Sequence, residues 1–243
     1  MTNNFSTEAY RSAKQLSLLT CVFLGILGLC AFLYVIFSIG MILFPNAQLN
    51  LGEGESLSIT LGFIGIIGLL EVPLRILTII FFLIWLHRAF KNLPALKSAY
   101  QEFSPGWAVG WWFIPFANLV MPFKVVRELW NESDPDFDEE TGFLNSVGGT
   151  PGIIVFWWAS FIISGFAGRI SSAMIDNDGN TSEHFPFALI IASLFQIAAA
   201  VLAIMIVRNI TQRQEKRFSR IEHSQPLIPP PPVFNESNIG EKH

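Results

Sequence analysis

Apolar residues along this chain gather into a few long runs, and the polar and charged residues are mostly confined to the stretches between them. A bilayer hydrocarbon core of about 30 Å needs roughly 20 apolar residues of helix. Four runs meet that length: 16–44, interrupted only by Ser17, Thr20 and Ser38, then 59–86, 153–175 and 187–207. The first two exceed the requirement, so tilt or extension beyond the membrane is expected. A fifth apolar stretch, 107–123, is shorter and holds Pro115, Asn118 and Pro122. Prolines at that spacing interrupt a helix and free backbone carbonyls, which lipid does not tolerate in the open. The pattern therefore predicts an all-α integral membrane protein of four transmembrane helices. A Trp- and Pro-rich segment, 104–132, would be re-entrant or lie flat at the interface.

Charge decides the orientation. Of the 15 Lys and Arg, only Arg75 and Arg169 fall inside the spans. All the others lie before span one, between spans two and three, or after span four. The loops 45–58 and 176–186 carry none, but hold Glu53, Glu55, Asp176, Asp178 and Glu183. That bias places both termini and the long middle loop in the cytoplasm of a cell bounded by this plasma membrane. Counting 107–123 as a span would export Arg208, Arg213, Lys216, Arg217 and Arg220. All seven Trp fall on the inner half, where an aromatic belt is expected. The first apolar run is too long for a cleavable signal and is expected to stay as an anchor.

Composition narrows the class. Hydrophobic residues make up 51% and charged residues 14%, with a net charge of −4 and a mean hydropathy of +0.48. Neither a disordered chain nor a basic nucleic-acid-binding domain has that profile. Cys21 and Cys30, nine residues apart, project from opposite helix faces, and His87, His184, His223 and His243 are scattered. The sequence contains no zinc-protease, nucleophile-elbow, phosphate-loop or dinucleotide fingerprint. Neither an enzyme, a metal nor a cofactor is expected. Asp134, Asp136 and Asp138 open like a calcium loop, but Glu139 stands where Gly is needed, so 133–150 reads as an acidic loop. Residues 1–15 form the N-terminal tail. After span four, 208–223 is expected to continue as a basic helix over the inner surface, followed by a Pro-rich flexible tail.

The middle loop has its own signature. Span two runs on into W-L-H-R-A-F-K-N-L (85–93), and S-P-G-W-A-V-G-W-W-F-I-P-F-A-N-L-V follows at 104–120. Next comes P-F-K-V-V-R-E-L-W (122–130), whose Phe123, Val126, Leu129 and Trp130 form an apolar face opposite Lys124, Arg127, Glu128 and Asn131. That pattern predicts an amphipathic helix at the inner interface. With these pieces and the Trp157 and Trp158 pair, the chain resembles the bacterial membrane family called domain of unknown function 4328, over roughly 61–207. The resemblance implies a bacterial multi-span protein and brings no catalytic or ligand residues. Inner-leaflet contact would fall to Trp107, Trp111, Trp112, Pro115, Asn118, Lys124, Arg127 and Trp130.

Charged groups at mid-bilayer cost about 2.5–3.5 kcal/mol each, so those present need partners. Glu71 and Arg75 are i,i+4 near the middle of span two, with Pro73 between them. With Gly65, Gly68 and Thr78 they share a face expected to point into the bundle. Its candidate partners are the stripe Ser160, Ser164, Gly168 and Ser172 of span three, and Ala188, Ala192, Gln196 and Ala200 of span four. Arg169 is expected to snorkel outward or reach Glu71. Three functions compete. The leading expectation is a non-enzymatic scaffold or accessory protein acting through protein partners or copies of itself. The others are a small oligomeric transporter or channel using Glu71 and Arg75, and an inner-leaflet lipid sensor using Lys124 and Arg127.

Overall fold

The computed structural model describes residues 10–45, 48–52, 55–98, 101–135, 150–176 and 181–224. The acidic loop beyond Pro135, the N-terminal nine residues and the Pro-rich tail lie outside them. Among the described residues, four helices are long and apolar enough to cross a membrane. They are α1 (Lys14–Leu43), α2 (Ile59–Lys91), α5 (Gly152–Ser172) and α6 (Phe185–Ser224). Between α2 and α5 lie a 3-10 turn (Pro94–Leu96), the short α3 (Pro105–Gly110), a second 3-10 turn (Ala117–Leu119) and α4 (Met121–Glu132). The loop between α1 and α2 carries a small antiparallel hairpin. Its strands are β1 (Gln48–Gly52) and β2 (Glu55–Ser58).

Each helix follows its apolar run. Pro73 sits inside α2, which is assigned as one helix throughout. Helix α6 passes through the end of the fourth run without a break and reaches 40 residues, about 60 Å at 1.5 Å per residue. The basic stretch 208–223 is thus an unbroken helical continuation of the span. Its inward face is buried through Ile210, Thr211, Gln214 and Arg217, so it is a pillar of the protein and does not lie over a lipid surface.

The helices pack in the order α2–α1–α6–α5. On α1 the buried residues Ser17, Thr20, Leu27, Ala31, Tyr34 and Ser38 form one stripe, and Gly28 lies against Ala200 of α6. Small side chains at this seam let backbones approach, which is the main source of helix association where lipid is as apolar as leucine. Stacked rings join α1 to α2 at two levels, Phe23 on Phe81 and Phe37 on Phe63, each with centroids 5.0 Å apart. Helix α5 packs on α6 and makes no extended contact with α2 among the described residues. That corrects the expectation that the serine stripe of span three covers the polar face of span two. Ser164 and Ser172 instead donate to their own helix, at the Phe161 and Gly168 carbonyls.

The tightest core lies at the end of the bundle that gathers the Lys and Arg, called here the basic end. Trp85, Leu86, Phe90, Leu93, Leu96, Val125, Val126, Leu129, Ile154 and Ile210 are essentially inaccessible there. The amphipathic face of α4 is therefore consumed by protein. Val125, Val126 and Leu129 pack into this core, not onto a membrane surface as the pattern suggested. Trp85 likewise belongs to the core and donates Nε1–H to Thr211 Oγ1 at 3.0 Å. Only Trp107 among the tryptophans is strongly exposed, as a lipid-facing anchor requires.

Candidate functional site

Three helices bring polar side chains to one level of the membrane. Glu71 and Arg75 lie within a turn of the centre of run 59–86, Gln196 within a turn of the centre of 187–207, and Tyr34 about a turn from the centre of 16–44. Arg75 Nη2 donates to Glu71 Oε1 at 2.7 Å and to Gln196 Oε1 at 2.9 Å. Gln196 Nε2 donates to the same Glu71 Oε1 at 2.7 Å. The remaining carboxylate oxygen, Oε2, accepts from the Tyr34 hydroxyl at 3.1 Å. Gly68, one turn before Glu71, lies beside that hydroxyl. Glu71 is buried, at 6% exposure, whereas the Arg75 side chain is 51% exposed. The shared face thus points only partly inward: Glu71 and Thr78 are covered, Gly65 and Arg75 are not.

The polar pattern along the spans marks Glu71 and Arg75, with Gln196 as a candidate partner, but gives no signal for Tyr34. A tyrosine in an apolar run looks like any membrane-tolerant aromatic. Arg169 stands apart at the other end of α5, its guanidinium 5.9 Å from the ring centroid of Phe166. It is exposed, in keeping with snorkelling and not with reaching Glu71.

Below this cluster, towards the basic end, the Trp-rich segment enters the space between α2 and α5. The Trp112 ring packs edge-on against Phe82 of α2 at 5.1 Å and against Trp158 of α5 at 6.1 Å. Trp158 Nε1 donates to the Leu119 carbonyl at 3.1 Å. Both Phe82 and Trp158 lie inside the apolar runs, within two turns of their basic ends, so the segment packs between the two spans at that level. Lipid would punish free backbone here, and consecutive turns supply the partners. Trp111 N–H donates to the Trp107 carbonyl, Phe113 N–H to Gly110, Asn118 N–H to Ile114 and Val120 N–H to Ala117. At its tip Phe116 has φ of 65° and is 87% exposed. Pro115 and Phe113 are exposed beside it. A left-handed phenylalanine is strained, and an almost bare ring suits only an apolar surrounding. The Nε1 atoms of Trp111 and Trp112 and Asn118 Oδ1 are buried without protein partners among the described residues.

The basic end locks this segment in place. Arg217 of α6 donates to the carbonyls of Glu132, Asp134 and Lys97, and burial lowers its pKa. Ser98 donates to the Glu132 carboxylate. Glu128 Oε1 accepts from the Glu102 and Phe103 amides at 2.9 and 3.2 Å. Burial nevertheless pushes its carboxyl up to about 7, against those bonds and with help from nearby Glu102 and Glu132. Arg213 stacks on Trp130, 4.2 Å from the ring centroid. Lys124 projects outward and Arg127 is half-buried. Among the described residues no three His, Cys, Asp or Glu side chains come together to hold a metal.

The model of one family, described as Domain of unknown function (DUF4328), matches residues 52–212. The chain belongs to that family. No curated protein and no solved structure matches it. The DUF4328 region contains Glu71, Arg75, Gln196 and the whole Trp-rich segment. Tyr34, Gln214 and Arg217 lie outside it, so this chain completes the cluster and the basic-end clamp with residues from beyond the family region.

Proposed function

We propose that this multi-pass membrane protein is non-enzymatic and takes up a small solute or ion at the Tyr34–Glu71–Arg75–Gln196 cluster. Its basic end and both termini lie in the cytoplasm, as the charge bias favours. The observation that carries the reading is the half-exposed guanidinium of Arg75 at mid-membrane depth. A charge there is stable only against water, a ligand or another protein. The separation of α2 from α5 supports an opening beside it, and Trp112 closes that opening towards the basic end. A scaffold would present Trp111 and Trp112 to a partner. Both are packed against the core with buried indole nitrogens, which is why the solute-handling reading is preferred.

Purified protein reconstituted into vesicles tests this with a panel of ions and small organic solutes. At least one should bind saturably or cross, and Arg75→Gln should weaken that by about tenfold, the loss of roughly one charged hydrogen bond. Binding and flux absent across the panel, or unchanged in the variant, would refute the proposal.

A further inference from the structure

Resting on the reading above, we infer that the cluster is an anion site, with Arg75 as its receiving group. Both oxygens of Glu71 are occupied, Oε1 by Arg75 and Gln196 and Oε2 by Tyr34. Gln196 accepts from Arg75 at its carbonyl and gives one of its two amide protons to Glu71. Tyr34 spends its proton on Glu71. A guanidinium carries five N–H donors, and the two on Nη2 are used. The three on Nε and Nη1 have no partner among the described residues.

Every free hydrogen-bonding valence of the guanidinium is therefore a donor, and it belongs to the charge that is half-exposed. The compensating carboxylate is buried behind it. The pair is neutral in sum but oriented, positive end outward. An approaching cation would meet the guanidinium first, whereas a carboxylate, phosphate or halide would meet unpaired N–H groups able to give it charged hydrogen bonds. Hydrocarbon cannot satisfy those donors. The anion has two possible sources: the acidic head of an amphiphile entering from the bilayer between α2 and α5, or a free inorganic anion.

The test uses full-length protein in phosphatidylcholine vesicles. One arm measures retention of a spin-labelled long-chain carboxylate against its methyl ester by electron paramagnetic resonance. The other measures chloride and inorganic phosphate flux. Arg75→Gln removes the receiving group, and Gln196→Glu sets a second carboxylate against Glu71, which makes the cluster net negative and repels an anion. A preference for the carboxylate of about tenfold in the unaltered protein, lost in both variants, supports an amphiphile as the source. Anion flux lost in both variants, without that preference, supports a free anion. Equal retention of acid and ester together with no anion flux overturns the inference. If the vesicles then move a cation or neutral solute in a cluster-dependent way, the solute-handling proposal survives; if nothing binds or moves, both fall. Circular dichroism and size exclusion confirm that each variant is folded, and Arg75→Lys, which keeps the charge, should retain part of the binding.

Discussion

Gln196 Nε2 lies 2.7 Å from Glu71 Oε1, although 125 residues separate them. This bond and its return from Arg75 Nη2 to Gln196 Oε1 join α2 to α6 at the membrane midplane, where the two helices have no extended backbone contact. Replacing Gln196 with Leu should therefore cost about 1 kcal/mol in unfolding from detergent, the usual scale for interhelical hydrogen bonds in membranes. A Leu that leaves stability unchanged would mean that the three side chains do not couple the helices.

The Glu71–Arg75 pair should behave as one unit. Removing either charge alone leaves the other unpaired in the membrane, so Glu71→Gln and Arg75→Gln should each destabilise more than the double replacement does. Additive losses in the double-mutant cycle would contradict the pairing.

These contacts were readable to different depths. The spans follow from apolar run length, and the meeting of Glu71, Arg75 and Gln196 follows from the cost of leaving polar groups alone at the centre of a run. Tyr34 was not readable, because its hydroxyl reaches Glu71 only in the α1–α2 register set by Phe23–Phe81 and Phe37–Phe63 stacking. The amphipathic pattern of α4 fits a protein surface as well as a lipid surface, and only the packing of Val125, Val126 and Leu129 decides between them. Arg217 reads as one more basic residue after the last span. Its clamp on three carbonyls depends on how the middle segment folds back.

A third prediction concerns the end of α2. Leu93 N–H turns to the Phe90 carbonyl in a tightened last turn, leaving the Ala89 carbonyl without its helical donor. Gln214 of α6 supplies one from Nε2 at 3.0 Å and also donates to Ser133 Oγ at 3.1 Å. Gln214→Leu should cost about 1–3 kcal/mol by stranding a buried carbonyl. It should also speed amide hydrogen exchange over 85–93, the measurement that checks it.

Stability should depend on pH through Glu128. Its carboxyl stays protonated in the fold up to about 7, whereas an unperturbed glutamate ionises near 4.5. Between those values the folded state holds the extra proton, so stability falls as pH rises through that window and levels off above it. Glu128→Gln keeps an oxygen for the Glu102 and Phe103 amides and removes the penalty. It should gain about 1 kcal/mol at pH 8, after discounting for partial exposure, and almost nothing at pH 4.5. An unchanged pH slope in the variant would contradict this.

Topology can be read with two cysteines in a background where Cys21 and Cys30 are replaced by Ala. Ser182 and Ser224 are both exposed, at opposite ends of α6. An impermeant maleimide on intact cells should label Ser182→Cys and reach Ser224→Cys only after permeabilisation. The reverse pattern would invert the assigned orientation.

Whether Arg75 is wet in the bilayer is the most direct question, and water-edited solid-state nuclear magnetic resonance answers it. Protein carrying 15N-arginine is reconstituted in lipid, and the Arg75 guanidinium signal is assigned by its loss in Arg75→Lys. A site open to solute should build up polarisation from water nearly as fast as exposed Arg220. A guanidinium that stays dry while Arg220 builds up would contradict an open intramembrane site.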